Sequence, residues 1–254
     1  MNPHLTIITG ASRGLGLAMA QQRLAEGHQL LCVSRSVNAA LAQQAHAQGA
    51  MLLQWTHDLS EGAALAQRLA QWLAQIDPDT LQGVTLINNA ALIPPMAPLH
   101  GYADAEWPAL AQSLRVNLEA PMLLSAAFLR ATDRWAVPRR LLNISSGLGR
   151  RAMASQGGYC AAKAGMDHFT RCVALEQQAL PNGAKVCSLA PGVIDTDMQL
   201  GLRTADPTRF ADAVNFAALK ERGMLASATQ AAQAVLARLD RADFGESPVA
   251  DVRD

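Results

Sequence analysis

The chain has 254 residues, half of them apolar, which is enough to bury the core of one α/β domain. Its 21 Lys and Arg residues balance 21 Asp and Glu residues, so charge gives no reason to expect a nucleic acid or an anionic membrane as a partner. No apolar run approaches the roughly 18 residues that cross a bilayer, and the N-terminus lacks a signal-peptide pattern, so we expect a cytoplasmic protein.

Short apolar strands and Ala- and Leu-rich helices alternate along the chain. The predicted strands are 5–9, 30–33, 51–55, 84–87, 140–144 and 185–189. Predicted helices follow them, ending at about 26 and covering about 37–48, 62–75, 104–132 and 157–180. This alternation predicts a doubly wound parallel sheet of the Rossmann type, with about seven strands and helices on both faces. Ligands of such sheets bind at the carboxyl ends of the strands.

The pattern weakens after Pro191. Residues 198–223 are compatible with helix but irregular, and we expect them to form a mobile cap over the substrate. A last helix at about 229–241 and a short acidic tail complete the chain. No linker, repeat or domain boundary interrupts the sequence, so we expect residues 1–254 to form a single dinucleotide-binding domain.

The cysteines and histidines show no arrangement typical of a redox or metal site. Cys32, Cys160, Cys172 and Cys187 are scattered without a CxxC pair, as expected of free thiols in a reducing compartment. The six histidines show no HxxxH or HExxH spacing. We therefore expect no bound metal.

A glycine-rich turn joins the first strand to the first helix and reads Thr9-Gly10-Ala11-Ser12-Arg13-Gly14-Leu15-Gly16. Glycines at this place let backbone N–H groups approach a pyrophosphate at the helix N-terminus. The alternative is a turn that only packs the helix on the strand. The strand–turn–helix setting favours dinucleotide binding.

The residues after the second strand indicate which dinucleotide is bound. An NAD site needs a carboxylate there for the ribose 2′-hydroxyl, but the sequence has no Asp or Glu between Glu26 and Asp58. Ser34 and Arg35 stand in its place, with Arg13 in the glycine turn. Guanidinium groups match the oxygens of a 2′-phosphate, so we expect NADP(H). The alternative for Arg35 is an ordinary solvated surface charge.

Polar residues that suit proton transfer occur in the second half of the chain. Tyr159 and Lys163 lie four residues apart, on one face of a helix. A neighbouring ammonium and a positively charged oxidised nicotinamide are both expected to lower the pKa of the phenol, so that Tyr159 can act as an acid in reduction and as a base in oxidation. Ser146 ends a strand and is placed to hydrogen-bond a substrate oxygen, whereas Ser145 serves the local backbone instead. Asn117 lies in an apolar helix, where a buried amide needs partners and often bends the helix.

Together these residues resemble the classical short-chain dehydrogenase/reductase family. The matching elements span nearly the whole chain in the family's order, and they are Thr9-Gly10-x-x-x-Gly14-x-Gly16, Asp58-Leu59, Asn88-Asn89-Ala90, Asn117, Ser146, Tyr159-x-x-x-Lys163 and Pro191-Gly192. Ala91, where many members carry Gly, is a departure.

The resemblance implies a role for each matching residue. Asn117, Ser146, Tyr159 and Lys163 would form a catalytic tetrad, in which Lys163 binds the nicotinamide ribose and Asn117 holds a water. The implied cofactor-binding residues, besides Tyr159 and Lys163, are Gly10, Ser12, Arg13, Gly14, Leu15, Gly16, Ser34, Arg35, Asp58, Leu59, Asn89, Ala90, Pro191, Gly192, Ile194 and Thr196.

The second half of the chain is most similar to the sepiapterin reductase and benzil (diketone) reductase subgroup. This likeness implies that Asp251 anchors the substrate, although a solvated terminal carboxylate is the alternative. No aromatic residue occurs between Ser146 and Tyr159, where sepiapterin reductases carry aromatic residues that sandwich the pterin. A compact α-dicarbonyl or aryl ketone therefore competes with a pterin as the substrate. The candidate substrate contacts are Ser146, Leu148, Met153, Gly192, Met198 and Asp251.

The sequence predicts an NADPH-dependent carbonyl reductase. The alternatives are an alcohol dehydrogenase that works in the oxidative direction and a non-catalytic NADP-binding regulatory protein. By resemblance we also expect a homodimer, or a homotetramer, that pairs through helices 104–132 and 157–180.

Overall fold

The computed structural model describes residues 2–254 and shows one seven-stranded sheet. The strands are β1 (His4–Thr9), β2 (Gln29–Ser34), β3 (Leu52–Thr56), β4 (Gly83–Asn88), β5 (Arg139–Ile144), β6 (Lys185–Ala190) and β7 (Val249–Asp251). The helices are α1 (Gly14–Ala25), α2 (Ala39–Ala47), α3 (Gly62–Leu73), α4 (Trp107–Leu114), α5 (Ala120–Ala131), α6 (Gly157–Gln178), α7 (Asp197–Arg203), α8 (Ala213–Glu221) and α9 (Ala228–Asp240). The predicted Rossmann-type sheet is confirmed.

Each strand pairs in parallel with its neighbours, in the order β3-β2-β1-β4-β5-β6-β7. The chain leaves the sheet after β3 and returns on the other side of β1 as β4. The order therefore reverses between β1 and β4, and a crevice forms outside the carboxyl ends of these strands.

Both faces of the sheet are covered, which explains why its central strands are buried along almost their whole length. One face packs under α1 and α9, where Met19 and Val235 are fully buried. The other face packs under α3 and α5, where Leu65 and Phe128 are almost completely buried.

The helix predicted at 104–132 is not continuous. It consists of α4, a five-residue π-helical segment at Arg115–Glu119, and α5. Pro121 has no N–H to donate to the carbonyl of Asn117, and its ring crowds that carbonyl. The wider π turn relieves this conflict and places Asn117 in the distorted segment.

The acidic tail predicted after the last helix is partly wrong, because the chain re-enters the sheet there as β7. Val249 and Asp251 align with Ser188 and Ala190 of β6. A three-residue strand is shorter than the runs from which strands are recognised in a sequence. β7 places Asp251 at the carboxyl edge of the sheet.

The segment expected to form the cap folds mainly as α7 and α8. Asp195 accepts hydrogen bonds from Arg203 at 3.0 Å and from Lys220 at 2.7 Å, which joins the two helices to the end of β6. The mobility of this cap stays a prediction. Among residues 2–254, no helix combines the length and the apolar character needed to cross a membrane.

Two histidines are buried at the amino edge of the sheet, opposite the crevice. The rings of His4 and His28 lie 4.8 Å apart, and they hydrogen-bond the hydroxyls of Thr85 and Thr6, at 2.8 Å and 2.9 Å. Burial, reinforced by the nearby positive charge of Arg23, lowers the pKa of His4 to about 3 and that of His28 to about 4. Both rings are therefore neutral in the folded protein at neutral pH.

We expect this pair to make folding sensitive to mild acid. Below the unfolded-state histidine pKa of about 6.5, the unfolded chain binds protons that the folded chain excludes. The free energy of unfolding is therefore undiminished by these histidines above about pH 6.5 and decreases as the pH falls toward 4. By pH 5 the loss is on the order of 2 kcal/mol for each histidine, and so about 4 kcal/mol for the pair. Urea unfolding of wild type and of the double variant His4→Gln/His28→Gln at pH 7 and pH 5 measures it. His46→Gln, at an exposed position of α2, is the control. An equal loss in wild type and double variant contradicts the expectation.

Candidate active site

The glycine turn after β1 lies in direct contact with the end of β4. A Cβ atom on Gly10, which has φ +69°, would lie 2.8 Å from Cα of Ala90. A Cβ atom on Gly16 would lie 2.3 Å from the carbonyl oxygen of Gly10. Only glycine allows these close approaches, and the start of α1 is thereby left open to a ligand.

Side chains of β1 and β4 hold this turn in place. The hydroxyl of Thr9 accepts hydrogen bonds from the backbone N–H groups of Asn89 (3.0 Å) and Ala90 (3.1 Å). The amide of Asn89 donates in return to the carbonyls of Thr9 (2.9 Å) and Gly10 (3.2 Å). The Asn89 side chain thus shapes the floor of the crevice.

A hydroxyl and a guanidinium follow β2 at the edge of the crevice. Ser34 is buried and its hydroxyl has no hydrogen-bond partner, whereas Arg35 is exposed. Asp58 accepts a hydrogen bond of 2.8 Å from the N–H of Ser60, and this bond holds the pKa of its carboxyl below the usual range. Arg13 donates to Asp197 at 2.6 Å, across the mouth of the crevice. Arg13 is therefore already paired, and Arg35 is the better placed of the two arginines to meet an anion.

Tyr159 and Lys163 are buried on one face of α6. The ammonium of Lys163 donates to the carbonyl of Ile144 at 2.8 Å and lies 5.7 Å from the centre of the Tyr159 ring. Burial raises the pKa of Tyr159 to about 12, while a hydrogen bond with Ser146 acts in the opposite direction. Burial also lowers the pKa of Lys163 to about 8, which Asp167 partly offsets.

This differs from the expectation that Lys163 lowers the pKa of Tyr159. The ammonium points to a strand carbonyl, and the cost of burying a phenolate exceeds its influence. Tyr159 therefore keeps its proton at neutral pH, as a proton donor must.

Ser145 and Ser146 have different surroundings although they are neighbours. Ser146 caps a 3-10 turn and its hydroxyl accepts a hydrogen bond of 3.2 Å from the N–H of Leu148, on the Tyr159 side of the crevice. The hydroxyl of Ser145 donates to the buried carboxylate of Asp167 at 2.6 Å, and Ser188 of β6 does the same at 2.6 Å. Ser145 thus binds a side chain, not the local backbone.

Sequence reasoning missed Asp167, although it lies four residues after Lys163.

Asn117 is completely buried and both ends of its amide are bonded to one residue. Its Nδ2 donates to the carbonyl of Leu92 at 2.7 Å, and the N–H of Leu92 donates to its Oδ1 at 2.9 Å. Asn117 does not line the crevice, so it fixes the loop after β4 from behind. Its role in a water relay stays a prediction.

The crevice is a continuous cleft of about 1600 Å³ at the carboxyl ends of the strands. The residues predicted for the site that line it are Gly10, Ser12, Arg13, Gly14, Leu15, Gly16, Ser34, Arg35, Asp58, Leu59, Asn89, Ala90, Ser146, Leu148, Tyr159, Lys163, Pro191, Gly192, Ile194, Thr196, Met198 and Asp251. Met153 is half-buried and, like Asn117, does not line the cleft. Segment 198–223, which is predicted to form a cap, adds two apolar residues that the sequence did not indicate, Leu202 and Phe216.

Asp251 is not a solvated terminal carboxylate. It is only 6% exposed and accepts two side-chain hydrogen bonds from Arg253, at 2.7 Å and 2.6 Å. Arg150 lies 3.7 Å from the same carboxylate. These contacts hold the pKa of Asp251 below its usual range, chiefly through the hydrogen bonds of Arg253. The Asp251 carboxylate therefore lines the cleft while it is already paired with the guanidinium of Arg253.

Comparison with known proteins agrees with this geometry. The sequence model of a family described as short chain dehydrogenase matches residues 4–207. The chain is 35% identical over 243 residues, 96% of both chains, to benzil reductase ((S)-benzoin forming) of Bacillus cereus. It is 31% identical over 258 residues to sepiapterin reductase of Meriones unguiculatus, covering 98% of this chain and 95% of that one. A solved structure from Beutenbergia cavernae with bound NADP at low occupancy has a TM-score of 0.80 at 26% identity, over 98% of this chain and 94% of that one.

We expect Asn117→Ala to destabilise the protein, because it leaves the N–H and carbonyl of Leu92 without partners. The expected loss is about 1–3 kcal/mol of the free energy of unfolding. Chemical unfolding followed by circular dichroism measures it, with Asn215→Ala on the exposed face of α8 as the control. Equal stability of the two variants contradicts the structural role.

Proposed function

Because the chain belongs to the short-chain dehydrogenase/reductase family, we propose that it is an NADPH-dependent reductase of small ketones and α-diketones. The observation that carries the proposal is a buried tyrosine beside Ser146 and Lys163 in a cleft that begins at the glycine turn. The relatives named as benzil and sepiapterin reductases support reduction over the oxidative direction.

The cleft residues fit a dinucleotide with a 2′-phosphate. The backbone of the glycine turn would hold the pyrophosphate. The unpartnered hydroxyl of Ser34 and the free guanidinium of Arg35 supply donors where an NAD site would need an acceptor. Asp58 and Leu59 would border the adenine, and Ile194 and Thr196 would meet the carboxamide. When bound, the reduced nicotinamide supplies the hydride for the carbonyl carbon.

The protein's own residues handle the proton. Tyr159 donates its phenolic proton to the carbonyl oxygen of the substrate, and Ser146 hydrogen-bonds the same oxygen. The ammonium of Lys163, held by Ile144, offsets the negative charge left on the phenolate. A proton from solvent then restores the phenol.

The substrate end of the cleft favours an apolar diketone over a pterin. Asp251, the residue expected to anchor a pterin, already accepts both hydrogen bonds of Arg253. Leu148, Met198 and Phe216 line the cleft, and Phe216 would supply the aromatic side chain that the segment between Ser146 and Tyr159 lacks. Homodimer formation and a cytoplasmic location stay predictions.

Replacing Arg35 with Asp should reverse the cofactor preference. The variant loses a charge-assisted hydrogen bond and repels the 2′-phosphate, so we expect the ratio of kcat/KM for NADPH to that for NADH to fall about 100-fold or more. Steady-state assays with both cofactors measure the ratio. The control is Arg134→Asp, an exposed position after α5. An unchanged ratio in Arg35→Asp rules out the proposed phosphate site.

Removing the phenolic hydroxyl should stop the reaction without releasing the cofactor. We expect Tyr159→Phe to lower kcat about 10²–10⁴-fold, because it removes the general acid. NADPH oxidation with benzil, smaller diketones and sepiapterin measures it, and a separate NADPH-binding titration should change little. Tyr102→Phe alters the second of the two tyrosines in the chain and is the matched control.

Two outcomes contradict this proposal. Turnover that survives Tyr159→Phe would disprove the proton-transfer mechanism. If wild type binds NADPH but reduces no carbonyl in the panel, the non-catalytic alternative is favoured.

A further inference from the structure

Asp167 is a buried carboxylate that the proton transfer described above does not use. It is 1% exposed and lies on α6 one helical turn beyond Lys163. One of its oxygens, Oδ1, accepts the hydroxyls of Ser145 and Ser188, each at 2.6 Å. The other, Oδ2, is buried without a hydrogen-bond partner. A buried charged group with an unpartnered oxygen is costly, so its presence next to the reacting residues calls for a function.

The residues that contact Asp167 are adjacent to the hydrogen bond between Lys163 and the carbonyl of Ile144. Ser145 directly follows Ile144, whose carbonyl accepts the ammonium of Lys163 at 2.8 Å. The N–H of Ser145 also donates to Leu189 of β6 at 2.9 Å. The carboxylate thus ties the ends of β5 and β6 to the same helix that carries Lys163, which fixes both the donor and the acceptor.

Asp167 also counters the cost of burying the ammonium. Burial lowers the pKa of Lys163 to about 8, and the negative charge of Asp167 acts to raise it. The other titratable or charged groups that face this pair are Tyr159 on α6, Arg150 after β5, Cys187 on β6 and Asp251 on β7. Burial keeps Tyr159 and Cys187 neutral at pH 8, with the pKa of Cys187 raised to about 11.

Two further charged residues, Arg150 and Asp251, lie beside Asp167. Nε of Arg150 lies 4.0 Å from Oδ2 of Asp167, and Nη2 of Arg150 lies 3.7 Å from Asp251. The backbone before Arg150 packs closely against Asp167, because a Cβ atom on Gly149 would lie 2.8 Å from Oδ2. Asp251 is paired with Arg253, which leaves Asp167 as the negative charge that acts most directly on Lys163.

We propose that Asp167 is a positioning residue, which keeps Lys163 charged and aligned with the carbonyl of Ile144 during the reaction; this inference rests on the proposed function. It acts through Lys163 and does not touch the substrate. Its loss should change the charge on Lys163, an effect that a merely structural carboxylate would not have.

The charge on Lys163 is measurable without substrate or cofactor. The sequence contains three lysines, Lys163, Lys185 and Lys220, so ¹³C-labelled lysine gives three Cε signals, and Lys163→Arg assigns the relevant one. NMR titration from pH 6 to pH 10 should show a Lys163 midpoint near 8 in wild type. We expect Asp167→Asn to lower this midpoint by about one pH unit. Glu176→Gln, which removes a charge from an exposed position of the same helix, should leave it unchanged.

A second variant keeps the test decisive if Asp167→Asn does not fold. Ser188→Ala removes one hydroxyl donor from the carboxylate and leaves more of its charge unscreened, so the Lys163 midpoint should rise. An unchanged midpoint in a folded Asp167→Asn protein, or a midpoint in Ser188→Ala that does not rise, overturns the proposal.

Activity assays separate this inference from the proposed function. If wild type reduces a diketone, kcat/KM of Asp167→Asn at pH 8 should fall about fivefold, in step with the shifted titration of Lys163. If the midpoint shifts but no carbonyl is reduced, the action of Asp167 on Lys163 stands and the proposed function fails. If a carbonyl is reduced but the midpoint does not move, the function stands and this inference fails.

Discussion

The site depends on the reversal of strand order between β1 and β4. Because β2 and β4 lie on opposite sides of β1, the connections that leave their carboxyl ends diverge and open a crevice. The glycine turn closes the base of this crevice, where Gly10 lies against Ala90 without room for a side chain. Thr9 and Asn89 then join the two strand ends by hydrogen bonds. The position of the start of α1 follows from these contacts.

Burial of charge dominates the chemistry of the second half of the cleft. Tyr159, Lys163 and Asp167 lie at successive turns of α6, and all three are at most 8% exposed. In this environment the phenol is a weaker acid than in water and the ammonium a stronger one. Each strand end contributes a polar group that compensates for part of the cost: Ile144, Ser145 and Ser188 all bond to side chains of α6. This environment favours the protonated form of Tyr159 until a bound partner accepts the proton.

The C-terminus completes the cleft from the far edge of the sheet. β7 places Asp251 beside Arg150, and the Asp251 carboxylate is already ion-paired with Arg253. From the other side, the cap brings Phe216 and Leu202 to the cleft. The Asp251 carboxylate is therefore already paired, while Phe216 and Leu202 add apolar surface to the cleft.

The amino-acid sequence by itself determined the sheet and most of the cleft. Alternation of apolar runs, the glycine turn and the polar residues at strand ends are local patterns, and parallel strands necessarily bring their carboxyl ends to one edge. The residues around Gly10, Arg35 and Tyr159 could be assigned to one cleft for that reason. The absence of a carboxylate after β2 was likewise visible in the sequence alone.

Only the tertiary structure decided how these residues are paired and buried. No periodic pattern in the sequence specifies which residues pair across the fold or how deeply they are buried. Examples are the pairs Arg13–Asp197, Asn117–Leu92 and Asp251–Arg253. The same holds for the three-residue strand β7, which forms because β6 offers an unpaired edge. The pKa of Tyr159 rises rather than falls for a related reason: sequence spacing gives the distance to a charge along a helix, whereas desolvation depends on everything packed around it.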